Sequence, residues 1–180
     1  MRVFPASVPD VVLVEPEIHR DARGFFYESH NERAFTQHVA DVRFVQDNCS
    51  RSEKHVLRGL HYQVSEPQGK LVSVLSGEVF DAAVDLRRGS RTFGQCTANI
   101  LSAQSRQCIW IPPGFAHGFL VLSDVAEVHY KTTAYWAPRH ERCIVWNDPD
   151  LAIAWPLSIE PILSDRDRAG VSFRDADVYR

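Results

Sequence analysis

KLVSVLSGEVFDAAVDL, residues 70–86, consists of two short apolar runs rich in Val, Leu and Phe, broken at Ser76-Gly77. A Ser-Gly break between runs of strand length is a turn signal, and the pair reads as a β-hairpin. CIWIPPGFAHGFLVL, residues 108–122, repeats the pattern around Pro112-Pro113-Gly114. Proline has no N–H to offer a strand ladder, so the chain must turn there, and His117 falls at the start of a returning strand. Further on, EVHYKTTAYW, residues 127–136, alternates: Val128, Tyr130 and Thr132 share one face, Glu127, His129 and Lys131 the other. This places the Tyr130 phenol on the inner side. Most remaining apolar residues also fall in short alternating runs cut by Gly and Pro, the pattern of an antiparallel sandwich or barrel. The expected fold is therefore mainly β. Helix signals are few: Asn31 can cap a short segment carrying Ala34, Phe35 and Val39, and Ser164 precedes the charged run SDRDRAG. With no repeat, low-complexity tract or linker, residues 1–180 are expected to form one domain. The tail after Asp165 is expected to fold over an open end of the barrel.

A chain of 180 residues can bury roughly 70% of its unfolded surface around one ordinary core. The formal net charge is −3 and no Lys/Arg cluster is long enough to track a phosphate backbone, so nucleic acid is not an expected partner. Cys49, Cys96, Cys108 and Cys143 are far apart and lack CxxC spacing. They fit neither a zinc knuckle nor a disulfide scaffold and are expected to be reduced thiols of a cytoplasmic protein. No apolar leader opens the chain, and no stretch approaches the roughly 20 apolar residues that span a bilayer. A soluble, unprocessed chain with no membrane partner is expected.

The densest polar block is QDNCSRSEKHVLRGLHYQ, residues 46–63, which sets Gln, Asp, Asn, two Arg and two His among apolar strand residues. Polar groups inside a barrel need ligands. Arginines suit a diphosphate, because the guanidinium fork matches two oxygens and keeps its charge at any relevant pH. Arg23 and Arg58, with Lys70, are the candidates, although each arginine taken alone reads as a solvated surface charge. His61 follows Gly59 closely and is a candidate general base; a lone histidine is otherwise an ordinary hydrogen-bonded core residue, and His117 has the same two readings. Tyr130 and Trp136 are packing aromatics unless a ligand gives them more to do.

Seven blocks then resemble one family in order and spacing: DARGFFYES (21–29), FVQDNCS (44–50), RGLHYQ (58–63), QGKLV (68–72), GEVFDAAVDLR (77–87), IPPGFAHGF (111–119) and WNDPDLAIAWP (146–156). Together they are similar to the dTDP-4-dehydrorhamnose 3,5-epimerases. The resemblance implies a cupin-like jelly-roll β-sandwich or barrel with a few short helices, and a homodimer whose N-terminal strands engage the partner. It implies epimerisation at carbons 3 and 5 of a dTDP-4-keto-6-deoxy sugar, in a pathway supplying rhamnose to glycans such as lipopolysaccharide, with no cofactor and no metal. His61 matches the family's base, Tyr130 its opposing acid, Lys70 the cation at the enolate oxygen, and Asp167 the carboxylate that orients the base. Asp81 is a second candidate for that orienting role. Binding positions match at Arg23, Glu28, Gln46, Asp47, Asn48, Arg58, Lys70, His117 and Glu141, with Arg166 where the family has Lys and Trp136 where a base-stacking Tyr is common. Arg91 replaces a usual proline, at a turn.

Three rivals remain at this level. A metal-dependent cupin would need a second histidine at position 63, which is Gln63, leaving His61, His117 and Glu66 as a thin ligand set. A non-catalytic sugar-nucleotide binder would lack the base or the acid. A mono-epimerase would share both and differ in pocket shape.

Overall fold

The structure, a computed structural model, describes residues 1–180. Its strands are β1 (Arg2–Pro5), β2 (Val12–Glu15), β3 (His19–Asp21), β4 (Gly24–Phe26), β5 (Gln46–Glu53), β6 (Leu57–Gln63), β7 (Lys70–Ser76), β8 (Glu78–Asp85), β9 (Cys96–Ser102), β10 (Cys108–Ile111), β11 (Phe115–Val121), β12 (Val125–Thr132) and β13 (Glu141–Cys143). Two short helices, α1 (Glu32–His38) and α2 (Asp165–Arg168), join them. One sheet runs β1-β2-β10-β7-β12-β5, the facing one β13-β6-β11-β8-β9, and β3-β4 stands apart as a hairpin. This is the mainly β, cupin-like jelly roll.

Both expected hairpins are corrected. β7 pairs with β10 and β12, whereas β8 pairs with β9 and β11. The Ser76-Gly77 turn thus carries the chain from one sheet to the other. The Pro-Pro-Gly turn does the same between β10 and β11. A turn signal reports that the chain reverses and says nothing about its next hydrogen-bond partner. Gly77 is needed at its corner, since φ is +78° and a Cβ would lie 2.1 Å from the Val125 carbonyl oxygen.

Alternation along the strands sorts side chains into three layers. Val72 and Val74 of β7, Val79 and Ala83 of β8, Ile109 and Ile111 of β10, and Phe115, Phe119 and Val121 of β11 meet between the sheets in the main core. Burying each of the larger ones contributes roughly 1.5–3 kcal/mol. Leu71, Cys108 and Trp110, one residue out of phase, face outward and are covered by Phe35 of α1. Asn31 caps this helix through its side chain, which accepts from the Ala34 N–H. On the other sheet Leu60, Tyr62, Val84 and Ala116 point outward under Phe173, Val178 and Tyr179 of the tail. The tail therefore lies along a sheet face instead of closing the barrel end; only α2, capped by Ser164, reaches the mouth of the interior cavity.

Candidate active site

Where the two sheets splay apart, a cavity of about 340 Å³ opens to solvent. The five-stranded sheet supplies Arg58 and His61 from β6, His117 and Phe119 from β11 and Glu141 from β13; the six-stranded sheet supplies Gln46, Asn48 and Ser50 from β5, Lys70 from β7 and Tyr130 from β12. Trp136 and Arg166 stand at the mouth with Gln68. His61 and Tyr130 thus enter the same space from opposite walls.

Behind His61 lies Asp167, carried there by α2. The imidazole Nε2 is 2.7 Å from Asp167 Oδ1, yet the approach is oblique and Nε2 has no aligned hydrogen-bond partner. A small ring rotation brings the pair into line, as is common in sites without substrate. The carboxylate is otherwise fully held: Oδ1 accepts the Gly59 N–H at 3.1 Å and Oδ2 the Ser164 hydroxyl at 2.5 Å. Burial alone would raise its pKa, but the nearby His61 imidazole and the bonds from Ser164 and Gly59 prevail and lower it to about 2. Gly59 is itself required here by β11, since its φ is +133° and a Cβ would lie 2.5 Å from Gly118 Cα.

Lys70 is almost wholly buried, its Nζ 3.4 Å from the His61 carbonyl oxygen. Burial lowers its pKa to about 8, with Glu141 and Asp81 holding it from falling further. Tyr130 is shifted the other way: burial and the Glu141 charge raise its pKa, so the phenol keeps its proton, while Arg58 opposes them. Glu141 also anchors the mouth. Its Oε2 accepts the Trp136 indole N–H at 2.5 Å and forms an ion pair with Arg166. The Trp136 backbone N–H donates to Gln46 Oε1 at 3.0 Å, and the ring face stays exposed. Gln63, buried, holds the same loop by donating to the Tyr135 carbonyl and accepting from the Ala137 N–H.

Three of the expected binding residues do not reach this cavity. Asp47 lies between Gln46 and Asn48 on a strand, so its side chain must point to the opposite face; there it pairs with Lys131 at 2.8 Å. Arg23 is exposed beside β3-β4 and pairs with Asp21 at 2.5 Å. Glu28 accepts from the Asn31 side-chain amide at 3.0 Å and borders a separate cavity with Met1, Phe26 and His30. Asp81 does not orient His61, because on β8 it faces His117, whose Nε2 is 2.7 Å from its Oδ2. Sequence reasoning passed over Ser50, Gln68 and Phe119, although alternation from Gln46 and Asn48 leads directly to Ser50. It also passed over Cys143, the antiparallel partner of His61 in the β13–β6 ladder.

The second-histidine position of a metal-dependent cupin is Gln63, whose side-chain amide is committed to backbone groups. The atoms that do converge are those of His61, Cys143 and Asp167, all within 4.8 Å of one another.

Fold and cavity define a jelly-roll protein whose pocket sets an imidazole and a phenol on opposite walls, with Arg58, Lys70 and Arg166 beside them. The family model for dTDP-4-dehydrorhamnose 3,5-epimerase matches residues 5–175, and the chain belongs to that family. It is 59% identical over 180 residues to the dTDP-4-dehydrorhamnose 3,5-epimerase of Pseudomonas aeruginosa, covering 99% of each chain. Among solved structures it is similar to the dTDP-6-deoxy-D-glucose-3,5-epimerase of Legionella pneumophila in complex with dTDP-4-keto-L-rhamnose, at TM-score 0.97, 49% identity and coverage of 99% and 97%. A 3'-monoepimerase of Streptomyces bikiniensis in complex with dTDP-quinovose matches at TM-score 0.88 and 35% identity, with coverage of 93% and 86%.

Proposed function

We propose that the chain is a dTDP-4-dehydrorhamnose 3,5-epimerase, converting dTDP-4-dehydro-6-deoxy-D-glucose to dTDP-4-dehydro-L-rhamnose in dTDP-L-rhamnose biosynthesis. The observation that carries this reading is the entry of His61 and Tyr130 into one cavity from facing sheets. Carbons 3 and 5 of the sugar both flank the ketone, so loss of either proton gives an enolate. Inversion then needs a base on one face of the ring and an acid on the other. His61 is the base, oriented by Asp167; Tyr130, kept protonated by its surroundings, is the acid. Lys70, itself almost wholly buried, supplies positive charge where the enolate oxygen develops. Arg58, Gln46, Asn48, His117 and Arg166 bind the diphosphate and sugar, and the exposed face of Trp136 stacks on the base.

Part of the proposal concerns assembly. Phe25 and Phe26 of the β3-β4 hairpin are exposed, a surface suited to engaging a second copy. In such a homodimer Arg23 and Glu28, next to that hairpin, would reach a pocket their own chain denies them. No helix is long and apolar enough to cross a membrane, and the four free cysteines fit the reduced environment of the cytoplasm.

The test is turnover of dTDP-4-keto-6-deoxyglucose in deuterated water. Label at carbons 3 and 5 is expected; label at carbon 3 alone would make the chain a mono-epimerase. Tyr130→Phe is expected to keep measurable exchange while slowing inversion about 10²-fold, and unchanged inversion would remove the phenol from its role. Activity is expected to survive exhaustive chelation, and loss restored by iron would reopen the metal reading.

A further inference from the structure

β13 is a short edge strand whose residues alternate as those of β6 do. Cys143 lies opposite His61 in the antiparallel ladder and Glu141 opposite Gln63, so both project to the inner side. The Cys143 thiol therefore stands beside the imidazole, and α2 brings the Asp167 carboxylate to the same point. One nitrogen, one sulfur and one oxygen donor lie within 4.8 Å of one another. The thiol has only a weak bond to give up, to the Ile144 carbonyl at 3.6 Å. The reaction proposed above makes no use of it.

We propose that His61, Cys143 and Asp167 form an inhibitory site for a thiophilic divalent cation such as Zn²⁺ or Cd²⁺. Tetrahedral zinc with bonds of about 2.0–2.3 Å sets its ligand atoms roughly 3.3–3.7 Å apart. The 2.7 Å separation of His61 Nε2 and Asp167 Oδ1 must open somewhat and the sulfur must close in, both by side-chain rotation. Asp167 is already fixed by Gly59 and Ser164, the second layer of hydrogen bonds that a ligating carboxylate needs. On binding, the S–H bond breaks, its proton leaves to solvent, and a metal–sulfur bond forms. Thiolate, carboxylate and neutral imidazole then balance the dication. The metal takes Nε2 and the Asp167 carboxylate out of the contact that orients the imidazole as a base; the inhibitory consequence rests on that reading, whereas binding does not.

The probe is Cd²⁺ added to the full-length, substrate-free protein, read by ultraviolet cadmium–thiolate absorption. One Cd²⁺ per chain is expected, with the absorption abolished by Cys143→Ser, weakened by His61→Asn and untouched by Cys49→Ser. In the epimerisation assay Zn²⁺ is expected to inhibit the native protein reversibly, with release by a chelator. Cys143→Ser should turn over normally and resist Zn²⁺ by about tenfold or more. Absorption that persists in Cys143→Ser, or depends on Cys49 instead, overturns the site; equal zinc sensitivity in Cys143→Ser overturns its inhibitory role. Should His61→Asn still exchange protons, the base assignment falls while the cadmium absorption stands, so the two failures are distinguishable.

Discussion

His61 and His117 lie opposite each other on neighbouring strands, and each has a carboxylate oxygen 2.7 Å from Nε2. They differ in what surrounds the pair. His117 is 8% exposed and its partner Asp81, from the adjoining strand of the same sheet, is fully buried; their hydrogen bond is aligned. His61 is 26% exposed, its contact is oblique, and its partner comes from a helix near the far end of the chain. One pair is built into the sheet. The other is assembled by a tail that docks late in sequence on a strand bent at Gly59. The same two side chains can thus serve as a fixed wall or as a proton-transfer unit, depending on solvent access and freedom to turn.

Replacing each imidazole is the strongest way to break this comparison. His61→Asn should lower deuterium incorporation at both carbons by about 10³-fold, whereas His117→Asn should act mainly on KM and leave kcat within about tenfold. Equal losses of kcat would mean both histidines move protons. The carboxylates follow. Asp167→Asn keeps the shape but no longer favours the imidazole orientation a base requires, and kcat should fall by about 10²-fold. The same variant reports on acid stability. With its folded pKa lowered to about 2 from 3.8, the Asp167 carboxylate contributes about 2 kcal/mol above the ordinary value, lost as pH falls toward 2. Acid unfolding curves of Asp167→Asn should lack that component. Asp81→Asn, by contrast, weakens a buried charge-assisted bond and should cost about 1–3 kcal/mol in thermal or denaturant unfolding, with kcat changed less than in Asp167→Asn.

The alternation of EVHYKTTAYW was enough to aim Tyr130 inward, and Asn31 and Ser164 marked their helices, because these are properties of a few consecutive residues. Pairing was not legible, since strands on either side of a corner show the same pattern whether they join each other or opposite sheets. Gln46, Asp47 and Asn48 were grouped by family resemblance although a strand turns alternate residues apart, and parity alone would have removed Asp47. The partnership of Asp167 with His61 rests on docking between distant parts of the chain, which no local spacing encodes. Resemblance supplied that residue where the physics of the sequence was silent.

Lys70 offers the finest test, because its charge is tied to one pair and not the other. Burial lowers its pKa to about 8, and Asp81 is one of the two carboxylates that hold the proton on, Glu141 being the other. The ammonium that faces the enolate oxygen is therefore lost as pH rises through about 8, and kcat should fall along a limb centred there. Stability moves the opposite way over that range: the unfolded lysine still binds its proton up to 10.5, so between the two values the unfolded state holds more protons and folding gains with pH. Asp81→Asn removes a charge that favours the ammonium, and the limb should move to lower pH by about a few tenths. Asp167→Asn, slower by far, should leave the limb where it is, since that carboxylate is spent on His61, Gly59 and Ser164. A limb that shifts in Asp167→Asn and stays fixed in Asp81→Asn would reverse the division of labour between the two pairs.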